Sequence, residues 1–95
     1  MSDAKLFTPL KLGDIEIANR IAMAPLTRNR ADHATDAPHA LQADYYAQRA
    51  SAGLLITEGT APCPDGAGYA RIPGIYNREH VTAWHKVTDV VHQKG

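Results

Sequence analysis

Two short apolar runs separated by one helical stretch limit what this chain can fold into. The first is Ile21-Ala22-Met23-Ala24 and the second is Leu54-Leu55-Ile56-Thr57. Neither alternates with polar residues, which is how a strand buried on both faces reads. Pro25 ends the first run, because proline offers no N–H to a sheet ladder. Residues 28–37 are polar and loop-like. A helix is expected from about Pro38, since proline is tolerated in a first helical turn. Asp36 or Thr35 is the expected cap. Leu41, Tyr45, Gln48 and Ala52 follow at spacings of +4, +3 and +4 and define the expected inner face, with Gln48 as its polar exception. Gly53 fits the C-terminal cap, where a left-handed backbone is easy without a Cβ. Strand, helix and strand in this order make a βαβ unit with parallel strands.

Ahead of this unit, about residues 6–19 read as a β-hairpin. Leu10, Leu12, Ile15 and Ile17 are its apolar positions and Gly13-Asp14 its turn. After the second run comes EGTAPCPDGAGYARIPGIY, residues 58–76, a long loop rich in glycine and proline. Loops of this length in a compact domain are commonly functional. Asn77 is the expected cap of a second helix, with Val81, Trp84, Val87 and Val91 as its apolar stripe. The class is therefore α/β. Two parallel strands leave two open edges, so residues 20–95 are expected to be the first two β/α units of a larger (β/α)8 barrel, which takes about 250 residues. The expected partner is a complementary polypeptide carrying the remaining strands.

Charge and cysteine narrow the function classes. Ten Lys+Arg balance ten Asp+Glu, so no net field steers the chain to nucleic acid or an anionic membrane. A single cysteine, Cys63, excludes an internal disulfide and suits a reducing, cytoplasmic setting. The N-terminal MSDAKLFTPLKLGD has neither the apolar core nor the cleavage pattern of a signal peptide.

In barrels and open α/β sheets, ligands sit at the C-terminal ends of the strands. Pro25-Leu26-Thr27 and Glu58-Gly59-Thr60 hold that position here. Spacing leaves two readings open: these residues deliver groups to a ligand, or Pro25 merely ends a strand and Thr27 caps a loop. Arg28 and Arg30 suit an anion or a salt bridge to Asp32 or Asp36, and the pattern favours the salt bridge. GAGYAR, residues 66–71, fails as a dinucleotide fingerprint, because Arg71 takes the third glycine position and no helix begins until about Asn77. His33, His39, His80, His85 and His92 show no metal spacing, and Cys63 has no adjacent histidine. Tyr45 and Tyr46 read as packing aromatics. Tyr69 is a lone aromatic in the glycine-rich loop and is expected to contact a ligand.

The segments LFTPLKLGDIEIANRIAMAPLTRNRA, DYYAQRASAGLLITEGT and GAGYARIPGIY, followed by a helix with Trp84, resemble the start of the old yellow enzyme family, nearest its bacterial branch. The resemblance runs from Leu6 to Gly95. It implies a (β/α)8 TIM barrel with FMN across the C-terminal mouth and the hairpin closing the bottom. It implies an FMN-dependent ene-reductase, in which NADPH or NADH drives reduction of activated C=C bonds in enones, maleimides and nitro compounds. Pro25, Leu26, Thr27 and Gly59 are then cofactor-binding, with the Thr27 hydroxyl donating to the flavin C4 carbonyl. Thr27 and Tyr69 also face the substrate. A cysteine at position 27 would mark another branch, and alanine often stands at position 59 in close relatives. Arg28 and Arg30 match the motif as residues that fix the loop. The proton-donating tyrosine and the carbonyl-binding histidine pair are expected beyond Gly95, so no catalytic residue is assigned in this chain, and no metal. A non-catalytic, barrel-derived binding or structural module is the alternative.

Overall fold

The structure is a computed structural model that describes residues 2–32, 34–66, 68 and 71–94, with side chains from Lys5 onward. A 3-10 turn over Ser2–Phe7 leads into the hairpin of β1 (Leu10–Leu12) and β2 (Ile15–Ile17). The strands pair antiparallel, Leu10 with Ile17 and Leu12 with Ile15. Gly13 takes φ +64°, as the tight connection requires. Ile17 alone of the four apolar positions is buried.

Next come β3 (Ala22–Met23), α1 (Ala40–Ala47), β4 (Leu54–Leu55) and α2 (Arg78–Lys94). β3 and β4 are parallel, with Ala22 opposite Leu54 and Met23 opposite Leu55. Asn19 fixes this pairing from below. Its Oδ1 accepts from the N–H groups of Ile21 at 3.0 Å and Gly53 at 2.8 Å, while its Nδ2 donates to the Ser51 carbonyl at 2.8 Å. The core behind the sheet is Tyr46, Trp84 and Val87, with Met23, Leu55 and Val91 packed against it. Ile21, Leu26 and Ile56 stay exposed on the strands and their continuations. The radius of gyration is 14.9 Å, against about 12 Å for a closed domain of this length. Among the described residues there are two separate two-stranded sheets, β1 with β2 and β3 with β4, and no closed barrel.

Both helices depart from the sequence expectation in detail. α1 begins at Ala40, not near Pro38, and its cap is His39, not Asp36 or Thr35. His39 Nδ1 accepts the Leu41 N–H at 3.1 Å, and Gln42 Oε1 returns the favour to the His39 N–H at 2.6 Å, a reciprocal capping box with an imidazole as acceptor. Asp36 is unavailable because it turns the chain at φ +61° and accepts the Tyr76 hydroxyl at 2.9 Å. The inner face of α1 is Gln42 and Tyr46, one residue round from the expected stripe, and Leu41 is 58% exposed. The helix ends at Ala47, and i→i+3 bonds tighten the chain on to Ala52. Gly53 is therefore no helix cap and has no left-handed φ; it is needed because a Cβ there would lie 2.1 Å from the Asn19 carbonyl oxygen.

Asn77 caps α2 as expected, its Oδ1 accepting the His80 N–H at 2.8 Å. Trp84 and Val87 face inward, but Val81 is 54% exposed and His80 is wholly buried in its stead. His80 Nδ1 accepts from the Tyr76 N–H, so Nε2 carries the proton and donates to the Thr35 carbonyl at 2.6 Å. His80 is thus a core histidine that joins α2 to the segment before α1.

The loop after β4 is anchored at its base. Ala61 and Gly74 form a parallel bridge, with the Ala61 N–H on the Pro73 carbonyl and the Ile75 N–H on the Ala61 carbonyl, each at 2.9 Å. Trp84 Nε1 donates to the Gly74 carbonyl at 3.0 Å, and the Gly74 N–H donates to the Asp36 carbonyl at 2.7 Å.

Candidate functional site

Parallel pairing in register opens both strand ends the same way. Beyond β3 the chain presents Pro25, Leu26 and Thr27, all exposed. Beyond β4 it presents exposed Thr57 and Gly59 on either side of Glu58, which is 2% exposed. Among the described residues no group bonds the Thr27 hydroxyl. Nothing lies within 4 Å of where a Cβ on Gly59 would stand. The two segments remain joined past the strands through the Arg28 N–H, which reaches Glu58 Oε1 at a long 3.5 Å.

Glu58 organises what lies beneath. Its Oε2 accepts from Gln42 Nε2 and from the Tyr46 hydroxyl, both at 2.9 Å. The same hydroxyl accepts the Glu58 N–H at 3.1 Å, which fixes its proton toward the carboxylate. Thr57 and Thr60 hydroxyls both donate to the Glu58 carbonyl, at 3.2 and 2.9 Å. Burial pushes the Tyr46 phenol well above its usual pKa, and the bond to the Glu58 carboxylate adds to the rise. Sequence reasoning placed Glu58 at a strand end but assigned it no role, and it missed Gln42 and Tyr46 as its partners. The available signal was an acid closing an apolar run, together with a Gln and a Tyr four residues apart on the preceding helix.

The other sequence candidates divide. The guanidinium groups of Arg28 and Arg30 meet no carboxylate among the described residues. The Arg28 guanidinium lies 5.2 Å from the centre of the Tyr45 ring, which Arg49 covers more closely at 3.8 Å. Arg30 Nη1 donates to the carbonyls of Arg28 and Asn29, at 3.1 and 3.2 Å. Among the described residues the one contact of a basic side chain with a carboxylate is His85 Nδ1 to Asp89 Oδ2, at 3.1 Å on the exposed face of α2. Tyr69 lies outside the described residues, as do parts of the GAGYAR stretch. A groove of about 540 Å³ lies elsewhere, between the hairpin, β4 and α2, with Ile17, Leu55, Val87 and Val91 in its lining.

The site thus has an exposed apolar step, an unengaged hydroxyl and an open glycine at the C-terminal ends of parallel strands. In β/α proteins this is the edge at which ligands are generally held. The chain belongs to the NADH:flavin oxidoreductase / NADH oxidase family, whose model matches residues 5–95, and corresponds to the N-terminal portion of an old yellow enzyme. It is 56% identical over 93 residues to chanoclavine-I aldehyde reductase fgaOx3 of Penicillium roqueforti, covering 96% of this chain and 25% of that protein. It is 48% identical over 93 residues to 12-oxophytodienoate reductase 7 of Oryza sativa subsp. japonica, covering 97% and 23%. The old yellow enzyme of Trypanosoma cruzi superposes with a TM-score of 0.94 at 43% identity, covering all of this chain and 26% of that one. The structural neighbours are TIM barrels, of which this chain spans about a quarter. Among the described residues no helix is long and apolar enough to cross a membrane.

Proposed function

We propose that residues 1–95 supply part of the FMN site of an ene-reductase that reduces activated alkenes such as enones, maleimides and nitro compounds. The observation that carries this reading is the paired opening of β3 and β4 onto Pro25, Leu26, Thr27 and Gly59. The pieces suit a flavin. Pro25 and Leu26 offer an apolar step, the Thr27 hydroxyl is a donor without a partner among the described residues, and Gly59 leaves its backbone approachable. FMN, when bound, supplies hydride transfer from NADPH or NADH to the alkene. In this chain, Thr27 would donate to the flavin C4 carbonyl and favour the electron-rich reduced form. Tyr69 would shape the pocket on the substrate side. The remaining strands would come from outside residues 1–95, as a complementary polypeptide or a longer one, and the groove beside the free edge of β4 suits the next of them.

Absorbance tests the reading: the assembled protein is expected to be yellow with oxidised FMN. A colourless assembly that takes up no FMN would leave the non-catalytic module instead. Intact mass spectrometry of the same sample separates a companion chain from a longer polypeptide. Thr27→Ala is expected to disfavour the reduced flavin by about 1.5–3 kcal/mol, the worth of a hydrogen bond to a charge-bearing acceptor. The midpoint potential would fall, and reduction by NAD(P)H would slow. An unchanged potential would reduce Thr27 to a loop residue.

A further inference from the structure

Glu58 is a buried carboxylate that the proposed chemistry does not use. It stands next to Gly59, at the end of β4 that opens toward the ligand, and it is linked to the Arg28 N–H that follows Thr27. Its partners are all neutral: Gln42 Nε2, the Tyr46 hydroxyl and one backbone N–H. Every one of them donates, so the pocket is built for the carboxylate form. Neutral donors hold a buried charge in place but do not cancel its field, which a low-dielectric surrounding screens weakly. No cation compensates it among the described residues. The Arg28 guanidinium turns to the Tyr45 ring, and Arg49 lies on that same ring.

We propose that Glu58 is a positioning and tuning residue: a fixed negative charge behind the strand ends that disfavours the electron-rich reduced flavin and so strengthens it as a hydride donor. This rests on the FMN reading above. Two effects then oppose one another across the same segment. The Thr27 hydroxyl favours the reduced flavin, and the Glu58 carboxylate disfavours it.

The test is the midpoint potential of bound FMN, measured in the assembled flavoprotein by equilibration with reference dyes. Glu58→Gln keeps the acceptor for Gln42 and Tyr46 while removing the charge, and its potential is expected to rise. Gln42→Lys reaches the same end by another route, placing an ammonium against the carboxylate, and is expected to raise the potential as well; it decides the matter if Glu58→Gln does not retain FMN. Tyr46→Phe removes a donor but leaves the charge, so its potential is expected to stay near wild type even where the fold is weakened. A Glu58→Gln protein with wild-type potential would overturn the proposal. So would a Tyr46→Phe shift as large as that of Glu58→Gln, because packing rather than charge would then be at work. A wild-type assembly that takes up no FMN fails at the earlier step and removes the flavin reading itself.

Discussion

Gly53→Ala is expected to cost about 3 kcal/mol of stability, the upper end of the range for overpacking a well-filled site. The added Cβ would meet the Asn19 carbonyl oxygen at 2.1 Å and its carbon at 3.0 Å. Neither atom can yield cheaply. Asn19 is held by its own side chain to Ile21, Ser51 and Gly53, and the Gly53 N–H also reaches the Ile21 carbonyl at 2.9 Å. The clash therefore falls where β3 and β4 begin to pair. Urea unfolding should show a lower midpoint with an unchanged slope. Gly59→Ala is the control, because its Cβ would enter open space. Equal midpoints for the two variants would mean that the close approach at Asn19 does not constrain the fold.

Glu58→Ala is expected to cost about 4 kcal/mol. It strands two buried donors, Gln42 Nε2 and the Tyr46 hydroxyl, each worth about 1–3 kcal/mol when left unpaired. It also empties the space the carboxylate fills. Glu58→Gln should cost much less, since both donors keep an acceptor. A Glu58→Ala protein as stable as Glu58→Gln would show that the bonds to Tyr46 and Gln42 contribute little. The raised pKa of the Tyr46 phenol adds a pH signature. Folding favours its neutral form, so that contribution is complete below the ordinary value of 10.0 and is lost as pH rises above it.

The elements that sequence made legible are those set by local chemistry. Gly13-Asp14 turned the hairpin, and Asn77 capped α2, because a left-handed glycine and an Asx cap act within a few residues. Unbroken apolar runs marked two parallel strands, but only Ala22–Met23 and Leu54–Leu55 pair, and neither strand is buried on both faces as expected. The inner face of α1 was not legible, because counting apolar residues selects Leu41 and Tyr45. Burial instead follows Gln42 and Tyr46, whose polar ends meet Glu58 from across the fold. His80 displaced Val81 for the same reason: its two ring nitrogens bind the Tyr76 N–H and the Thr35 carbonyl, which no local pattern announces. The strand-end rule singled out Pro25, Leu26, Thr27 and Gly59 as candidates, and they lie exposed just past β3 and β4. The support under them was hidden, because a hydropathy pattern treats a buried acid as a surface residue.

The anchored base of the loop after β4 separates two kinds of inheritance. Ala61 and Gly74 close it at one level, and Arg71 is tied to buried Ala31 through the Ala31 N–H at 3.1 Å and its own Nε at 3.0 Å. Substitutions, insertions or deletions within residues 62–70 thus begin and end at fixed points and need not disturb the strands, Trp84 or the Asp36 turn. Closing a somewhat longer tip costs little, about 0.6 kcal/mol for each doubling of loop length. The tip can therefore be replaced as a cassette without moving the frame that anchors it.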